Sequence, residues 1–417
     1  MFPRPDLSFT LPSIHDNTRL DCRVYHPPYH SEPMGTSQRH AAVVAHPYAP
    51  LGGSYDDPIV CLLAKTLLDV GFVVATFNFR GASSSDGHTS WTSKPERADY
   101  MSVAGFLIYY IHYLRPPQRP SVATSGIPTA PTFLFAGYSY GAMVTMQLPP
   151  LTAFLGHFAS PVTHTAFADI RLRAQHLAEQ QTVVLDTPSS PRKSLGMRVG
   201  GDEDTSPRKA HDKLRMHSPD REERIRKGVK DLLSRSKLIH RKQDHHHAVE
   251  SGGSGHEGHE MHREPCLEKL DNLTRFCSAY LLVSPPVGIV THLATMSFSN
   301  PLSNWSRRIR GGGTGTMKDQ RGDQQGDMEQ EDEAETKLML HPTLVIYGDQ
   351  DGFLTPRKMR DWTVQLSSTD GSQFRYVVIP GAGHFWAEDN VGYKLKEAVS
   401  SFAAKLIRPR DLQKTQS

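Results

Sequence analysis

Three stretches of this chain carry residue types that could do chemistry together. Ser139 stands between two glycines in "GYSYG" (Gly137 to Gly141), with the apolar run "TFLFAG" leading into it and "AMVTMQL" leading away. A nucleophile held between a strand and a helix needs a tight, strained turn, and small neighbours let the backbone close around it. Its hydroxyl then lies beside the first free N–H groups of the helix, which can receive an oxyanion. "GDQDGFLTP" follows the strand-like "TLVIY" and offers two carboxylates, Asp349 and Asp351. Asp351, farther past the strand end, is the better placed to orient an imidazole, whereas Asp349 is suited to bracing the loop through backbone hydrogen bonds. His384 follows the strand-like "RYVVIP" inside a Gly-Ala-Gly turn and precedes a final amphipathic segment. Nucleophile, acid and base in the order Ser139, Asp351, His384, each after its own strand, point to acyl transfer through a serine.

The elements that must position these residues are legible as periodicities. "LSFTL" and "LDCRVY" alternate apolar and polar residues around "HDN", an antiparallel hairpin pattern. "AAVVAH" and "FVVATFNF" are short, nearly continuous apolar runs, as in strands covered on both faces. Between them Ile59, Leu62, Leu63, Leu67 and Leu68 repeat at helical spacing up to Gly71. "RADYMSVAGFLIYYIHYL" reads as a strongly buried helix, "SAYLLVSPP" as a further strand and "PRKMRDWTVQL" as a helix. In the last segment Val391, Leu395, Val399, Phe402 and Leu406 recur at intervals of three and four. Strand and helix alternate, so the predicted fold class is α/β with a mostly parallel central sheet.

That core is discontinuous. A chain of 417 residues with only 37% hydrophobic residues, and with 32 Gly, 30 Pro and 22 His, must hold segments that do not build a core. The expected organisation is an amino-terminal core block over 1–160 and a lid-region insertion over 161–271, largely low-complexity or flexible. Core resumes over 272–306, a Gly-rich and acidic loop occupies 307–336, the carboxyl-terminal core block spans 337–407, and 408–417 is a tail. The larger insertion opens with a possible helix, "FADIRLRAQHLAEQ", and the interval from about Asp186 to Glu264 is expected to be dispensable for folding.

With the core motifs in place, the chain resembles the α/β-hydrolase superfamily. "HPYAPLGGSYDDPIV", "FNFRGASSSDG", "GYSYGA", "SPPVG" and "GDQDGFLTP" together are similar to small bacterial and fungal α/β-hydrolases distantly related to dienelactone-hydrolase and dipeptidyl-peptidase-like catalytic domains. The likeness covers about residues 8–160 and 275–407 and neither insertion. It implies Ser139 as nucleophile, Asp351 as acid and His384 as base. It also places half of an oxyanion hole in "HPYAPLGG". Pro47 has no N–H, so the donors are the backbone of Tyr140 and of Tyr48, with Ala49 as the substitute for Tyr48. Tyr48, Tyr138, Tyr140, Phe353 and Trp386 are the expected substrate-pocket residues.

The implied activity is a serine hydrolase acting on an ester, thioester or lactone of a small uncharged or moderately apolar molecule. The alternatives are a non-hydrolytic relative that binds a ligand or partner, and an acyltransferase or peptidase using the same triad. Neither a cofactor nor a metal is required. "GASSSDG" lacks the spacing of a phosphate-binding glycine loop. The run holding His245, His246, His247, His256, His259 and His262 has nitrogen ligands for zinc but no evident folding scaffold, and reads as a linker. A formal net charge of +3 gives no global field for nucleic acid. No run reaches the length of a membrane span, the four cysteines make no CxxC pair, and a cytoplasmic location is expected. The oppositely charged insertions are the expected surface for any protein partner.

Overall fold

Short apolar runs become central strands because both of their faces are covered. In the computed structural model, which describes residues 3–28, 39–90, 92–114, 130–186, 222–234, 265–286, 333–353 and 356–407, eight strands form one sheet. They are β1 (Leu7–Pro12), β2 (Arg19–Tyr25), β3 (Ala41–Ala45), β4 (Val73–Phe77), β5 (Thr132–Tyr138), β6 (Cys277–Val283), β7 (Thr343–Gly348) and β8 (Phe374–Ile379). Their order is β1-β2-β4-β3-β5-β6-β7-β8. The β1-β2 hairpin is antiparallel and β2 joins β4 antiparallel, while β4, β3, β5, β6, β7 and β8 pair in parallel. Every residue of β3, β4, β5 and β7 is buried, whereas the edge strand β8 is partly exposed. This is the α/β-hydrolase fold.

Helices cover both faces. On one face α1 (Pro58–Val70) and the carboxyl-terminal helix (Val391–Ile407) pack against each other and the sheet through Leu63, Leu67, Leu395 and Val399. Asp57 caps α1, accepting from the N–H groups of Ile59 at 2.8 Å and Val60 at 3.3 Å. The opposite face carries α2 (Lys94–Tyr113), α3 (Tyr140–Met146), α4 (Leu151–Leu155) and α5 (Ala166–Asp186). Two further helices follow on that face, α6 over 222–234 and α7 over 333–340. The helix Pro356–Ser368 is α8, and the carboxyl-terminal helix is therefore α9.

α6 departs from the sequence expectation, because it falls inside the interval read as dispensable. Ile225 and Val229 are buried in the core beneath it. The Glu222 carboxylate accepts from Thr10 Oγ1 at 3.0 Å and Arg173 Nη1 at 2.8 Å. Ile225, Val229, Leu232 and Leu233 keep helical spacing in a segment whose overall composition is dominated by charge, and that stripe suffices to dock one helix.

The histidine-rich run over 245–262, residues 187–221, residues 287–306 of the expected core block, and the 408–417 tail lie outside the described residues, as does the loop expected over 307–336 except for 333–336, which form the start of α7. Among the described residues no group of three or more His, Cys, Asp or Glu is placed to hold a metal ion, and no helix is long and apolar enough to cross a membrane.

Candidate active site

Ser139 sits at the turn from β5 into α3 with φ 54° and ψ −118°. A positive φ is unfavourable for any residue with a Cβ, so the surrounding contacts must impose it. They are visible: the Ser139 N–H donates to the Val283 carbonyl at the end of β6, at 2.8 Å. The flanking glycines are required by close approach. A Cβ on Gly137 would stand 2.3 Å from the Gly141 carbonyl oxygen, and one on Gly141 would stand 2.6 Å from the carbonyl oxygens of Ala45 and His46. Strand, turn and helix thus touch backbone to backbone, and the same contact draws the loop after β3 against the turn.

The three chemistry-bearing residues converge. Ser139 Oγ lies 2.9 Å from His384 Nε2. His384 Nδ1 lies 2.8 Å from Asp351 Oδ2 and 3.0 Å from Oδ1. Asp351 Oδ1 also accepts from the Phe353 N–H at 3.0 Å, so the carboxylate is held in one orientation. Both His384 and Asp351 are buried. A carboxylate can only accept, so Nδ1 carries the proton and Nε2 presents its lone pair to the serine. Asp349 takes a separate position at the surface, where Oδ1 accepts from the Gly381 N–H at 2.7 Å and ties the β7 loop to the histidine loop.

Beside the turn, the loop after β3 runs through Pro47 and Tyr48 into a 3-10 turn over Ala49–Leu51. Its tether is His46, a residue the sequence offered only as the start of a motif. His46 Nε2 accepts from the Phe79 N–H at 2.8 Å, which leaves Nδ1 to donate to the Pro47 carbonyl at 2.6 Å. Burial holds the His46 pKa down at about 4, so the ring stays neutral. The Tyr48 and Tyr140 rings meet at a centroid distance of 5.2 Å, their planes tilted by 60°, which brings the two segments with candidate oxyanion N–H groups side by side. Ser139 provides no side-chain cap to α3, and first-turn N–H groups have no intrahelical acceptor.

The aromatic residues divide into support and wall. Tyr138, read from the sequence as pocket-lining, is only 2% exposed; its hydroxyl donates to the His384 carbonyl at 2.7 Å. Trp386, at φ 57°, is also buried. Both pack into the buried cluster shared with α1 and the carboxyl-terminal helix. Tyr140 is buried too, with its hydroxyl facing no hydrogen-bond partner among the described residues. Phe353 is 42% exposed, with its ring 4.6 Å from the imidazole, and Phe385, which the sequence reading did not place in the pocket, is 66% exposed and edge-on to Phe353. An apolar rim therefore stands over a small polar centre, and the set can activate a hydroxyl against a carbonyl carbon.

No protein-family model matches the chain, and no curated protein matches it in sequence. Solved structures do resemble it. An alpha-beta serine hydrolase homologue from Coxiella burnetii aligns at 13% identity and a TM-score of 0.42, covering 96% of this chain and 99% of that one. A serine hydrolase without lid from Xanthomonas campestris aligns at 17% identity and 0.42, covering 98% of each chain. Est1E from Butyrivibrio proteoclasticus, with ferulic acid bound, aligns at 12% identity and 0.42, covering 96% and 99%. At these identities the functional reading rests on the residues of this chain.

Proposed function

We propose that the protein is a serine hydrolase that cleaves an ester, thioester or lactone of a small, uncharged or moderately apolar molecule through an acyl-enzyme intermediate. The observation that carries this reading is the unbroken line from Ser139 Oγ through the His384 ring to Asp351, with links of 2.9 Å and 2.8 Å. His384 Nε2 takes the Ser139 proton as Oγ attacks the carbonyl carbon. Asp351 holds the productive tautomer and stabilises the imidazolium that forms. The N–H groups of Tyr140 and Tyr48, or Ala49 in place of Tyr48, receive the oxyanion. His384 then protonates the leaving group. In the second half it deprotonates a water that attacks the acyl carbon, then returns that proton to Ser139 Oγ as the acyl–Oγ bond breaks and the carboxylic acid departs. Phe353 and Phe385 favour an apolar acyl or aryl group beside the reacting carbonyl.

The test is fluorophosphonate labelling of the purified chain, combined with turnover of short p-nitrophenyl esters. Label on Ser139 and turnover lost in Ser139→Ala and His384→Ala, with the fold retained, is the expected outcome. Equal turnover by wild type and Ser139→Ala overturns the reading.

A further inference from the structure

A cavity of about 340 Å³ lies at the far end of α3 from Ser139, between the amino-terminal turn of α2, the Gln147–Pro150 turn and α7. None of Ser139, Asp351 and His384 lines it. α3 has seven residues, so its two ends stand roughly 10 Å apart at 1.5 Å per residue. The cavity wall combines apolar surface from Met101, Leu148, Pro149 and Ala334 with the cationic side chains of Lys94, Arg97 and Lys337; Glu333 is the acidic member.

The cations are unusual for this protein. Its buried guanidiniums are each held by two or more acceptors: Arg80 by Asp99 at 2.7 Å and Asp16 at 2.9 Å, Arg173 by Asp169 at 3.0 Å and Glu222 at 2.8 Å, and Arg171 by the Ala159 carbonyl at 2.8 Å and the Glu268 carbonyl. Among the described residues, half-buried Arg97 has no such set of acceptors. Its hydrogen bond among the described residues is a long one, Nη1 to the Gln147 carbonyl at 3.4 Å, and burial lowers its pKa. Lys337 is 4% exposed and donates to the Leu148 carbonyl and, at 2.8 Å, to the Met146 carbonyl. An ammonium has three donors, so one remains. Burial brings the Lys337 pKa down to about 7; Glu333 acts in the opposite direction, and a smaller repulsion from Arg97 adds to the lowering. Arg97, with its single long hydrogen bond, and Lys337, held by two carbonyls and 5.1 Å from the Tyr280 ring centroid but without a direct carboxylate contact among the described residues, put two cationic groups on one cavity wall and favour an anion there, because a buried charge is costly until it is paired.

We propose that this cavity binds a small organic carboxylate, its head group between Arg97 and Lys337 and its apolar body against Met101, Leu148 and Pro149. The planar guanidinium fork matches a carboxylate. The volume and the apolar wall exceed what an inorganic anion would fill. The site is separate from the Ser139 centre and does not depend on its chemistry.

Isothermal titration of the full-length chain with sodium hexanoate tests this, with hexanamide and inorganic phosphate as parallel arms. Hexanoate is expected to bind to wild type and to Ser139→Ala alike, with hexanamide and phosphate each at least about tenfold weaker. Loss of the fork in Arg97→Gln should weaken hexanoate by about tenfold or more, in line with a charge-assisted hydrogen bond. Lys337→Met should do the same; if that variant does not fold, Arg97→Gln alone decides. No hexanoate binding, unchanged affinity in Arg97→Gln, equal binding of hexanamide, or tighter binding of phosphate each overturns the proposal.

Discussion

Replacing Asp351 by Asn separates an orienting acid from a loop brace, and the geometry sets the size of the effect. The carboxylate meets two donors at once, His384 Nδ1–H at 2.8 Å through Oδ2 and the Phe353 N–H at 3.0 Å through Oδ1. An amide has one oxygen for both. With that oxygen toward Phe353, its NH₂ faces Nδ1 and selects the tautomer whose proton sits on Nε2, so the ring cannot accept the Ser139 proton. With the oxygen toward Nδ1, the NH₂ opposes the Phe353 N–H, donor against donor. In either arrangement the imidazolium loses its buried counter-charge. The equivalent loss in a serine-protease triad lowers kcat about 10⁴-fold, which is about 5.5 kcal/mol at 1.36 kcal/mol per factor of ten. Asp349→Asn differs: its oxygen can still accept from the Gly381 N–H, now without charge, at an exposed position. Losing charge assistance there costs about 1 kcal/mol or less, roughly a fivefold change in rate at most. The assay is p-nitrophenyl butyrate turnover by the two variants and wild type at matched folded fraction, checked by circular dichroism. Asp351→Asn within tenfold of wild type, or Asp349→Asn as impaired as Asp351→Asn, refutes the assignment.

Ser139→Gly removes the Cβ from a residue at φ 54°. Relief of strain against added chain entropy leaves a gain of about 1 kcal/mol, read as a rise in the denaturant midpoint accompanied by loss of turnover. Ile225→Ala empties a buried position under α6 and should cost about 2–3 kcal/mol in urea unfolding, whereas a Gly/Ser replacement confined to 235–264 should leave the midpoint unchanged; a neutral Ile225→Ala means α6 is not docked in solution. His40 and His46 are buried, with burial holding each pKa at about 4 against an ordinary 6.5. Between those values the unfolded chain binds protons that the folded chain refuses, so their contribution is complete above about pH 6.5 and declines as pH falls toward 4. Each adds a slope of up to about 1.4 kcal/mol per pH unit in that window, and a flat stability profile from pH 6.5 to 4.5 contradicts their burial as neutral rings.

Local pattern was enough to locate most of the framework. Apolar runs such as "AAVVA" and "TLVIY", the helical spacing of Val391, Leu395 and Val399, and the glycine-flanked turn at Ser139 are all short-range features, each set by the residue types within a few positions. The same reasoning failed at α6, where four apolar residues in a charged segment were averaged away by composition, although their spacing is helical. Sequence could not rank Tyr138, Tyr140 and Trp386 by burial, because an aromatic residue next to a reactive one reads the same whether it faces the mouth or packs inward. What tertiary structure alone decided is which distant residues meet. Ser139 and His384 are 245 positions apart, yet β5, β6, β7 and β8 are successive parallel neighbours, so the loops after β5, β7 and β8 emerge from one edge of the sheet. Sheet order is a property of long-range pairing, and no local window encodes it. The same holds for Arg97 and Lys337, which belong to helices 240 residues apart and share a cavity only because α2 and α7 both pack beside α3.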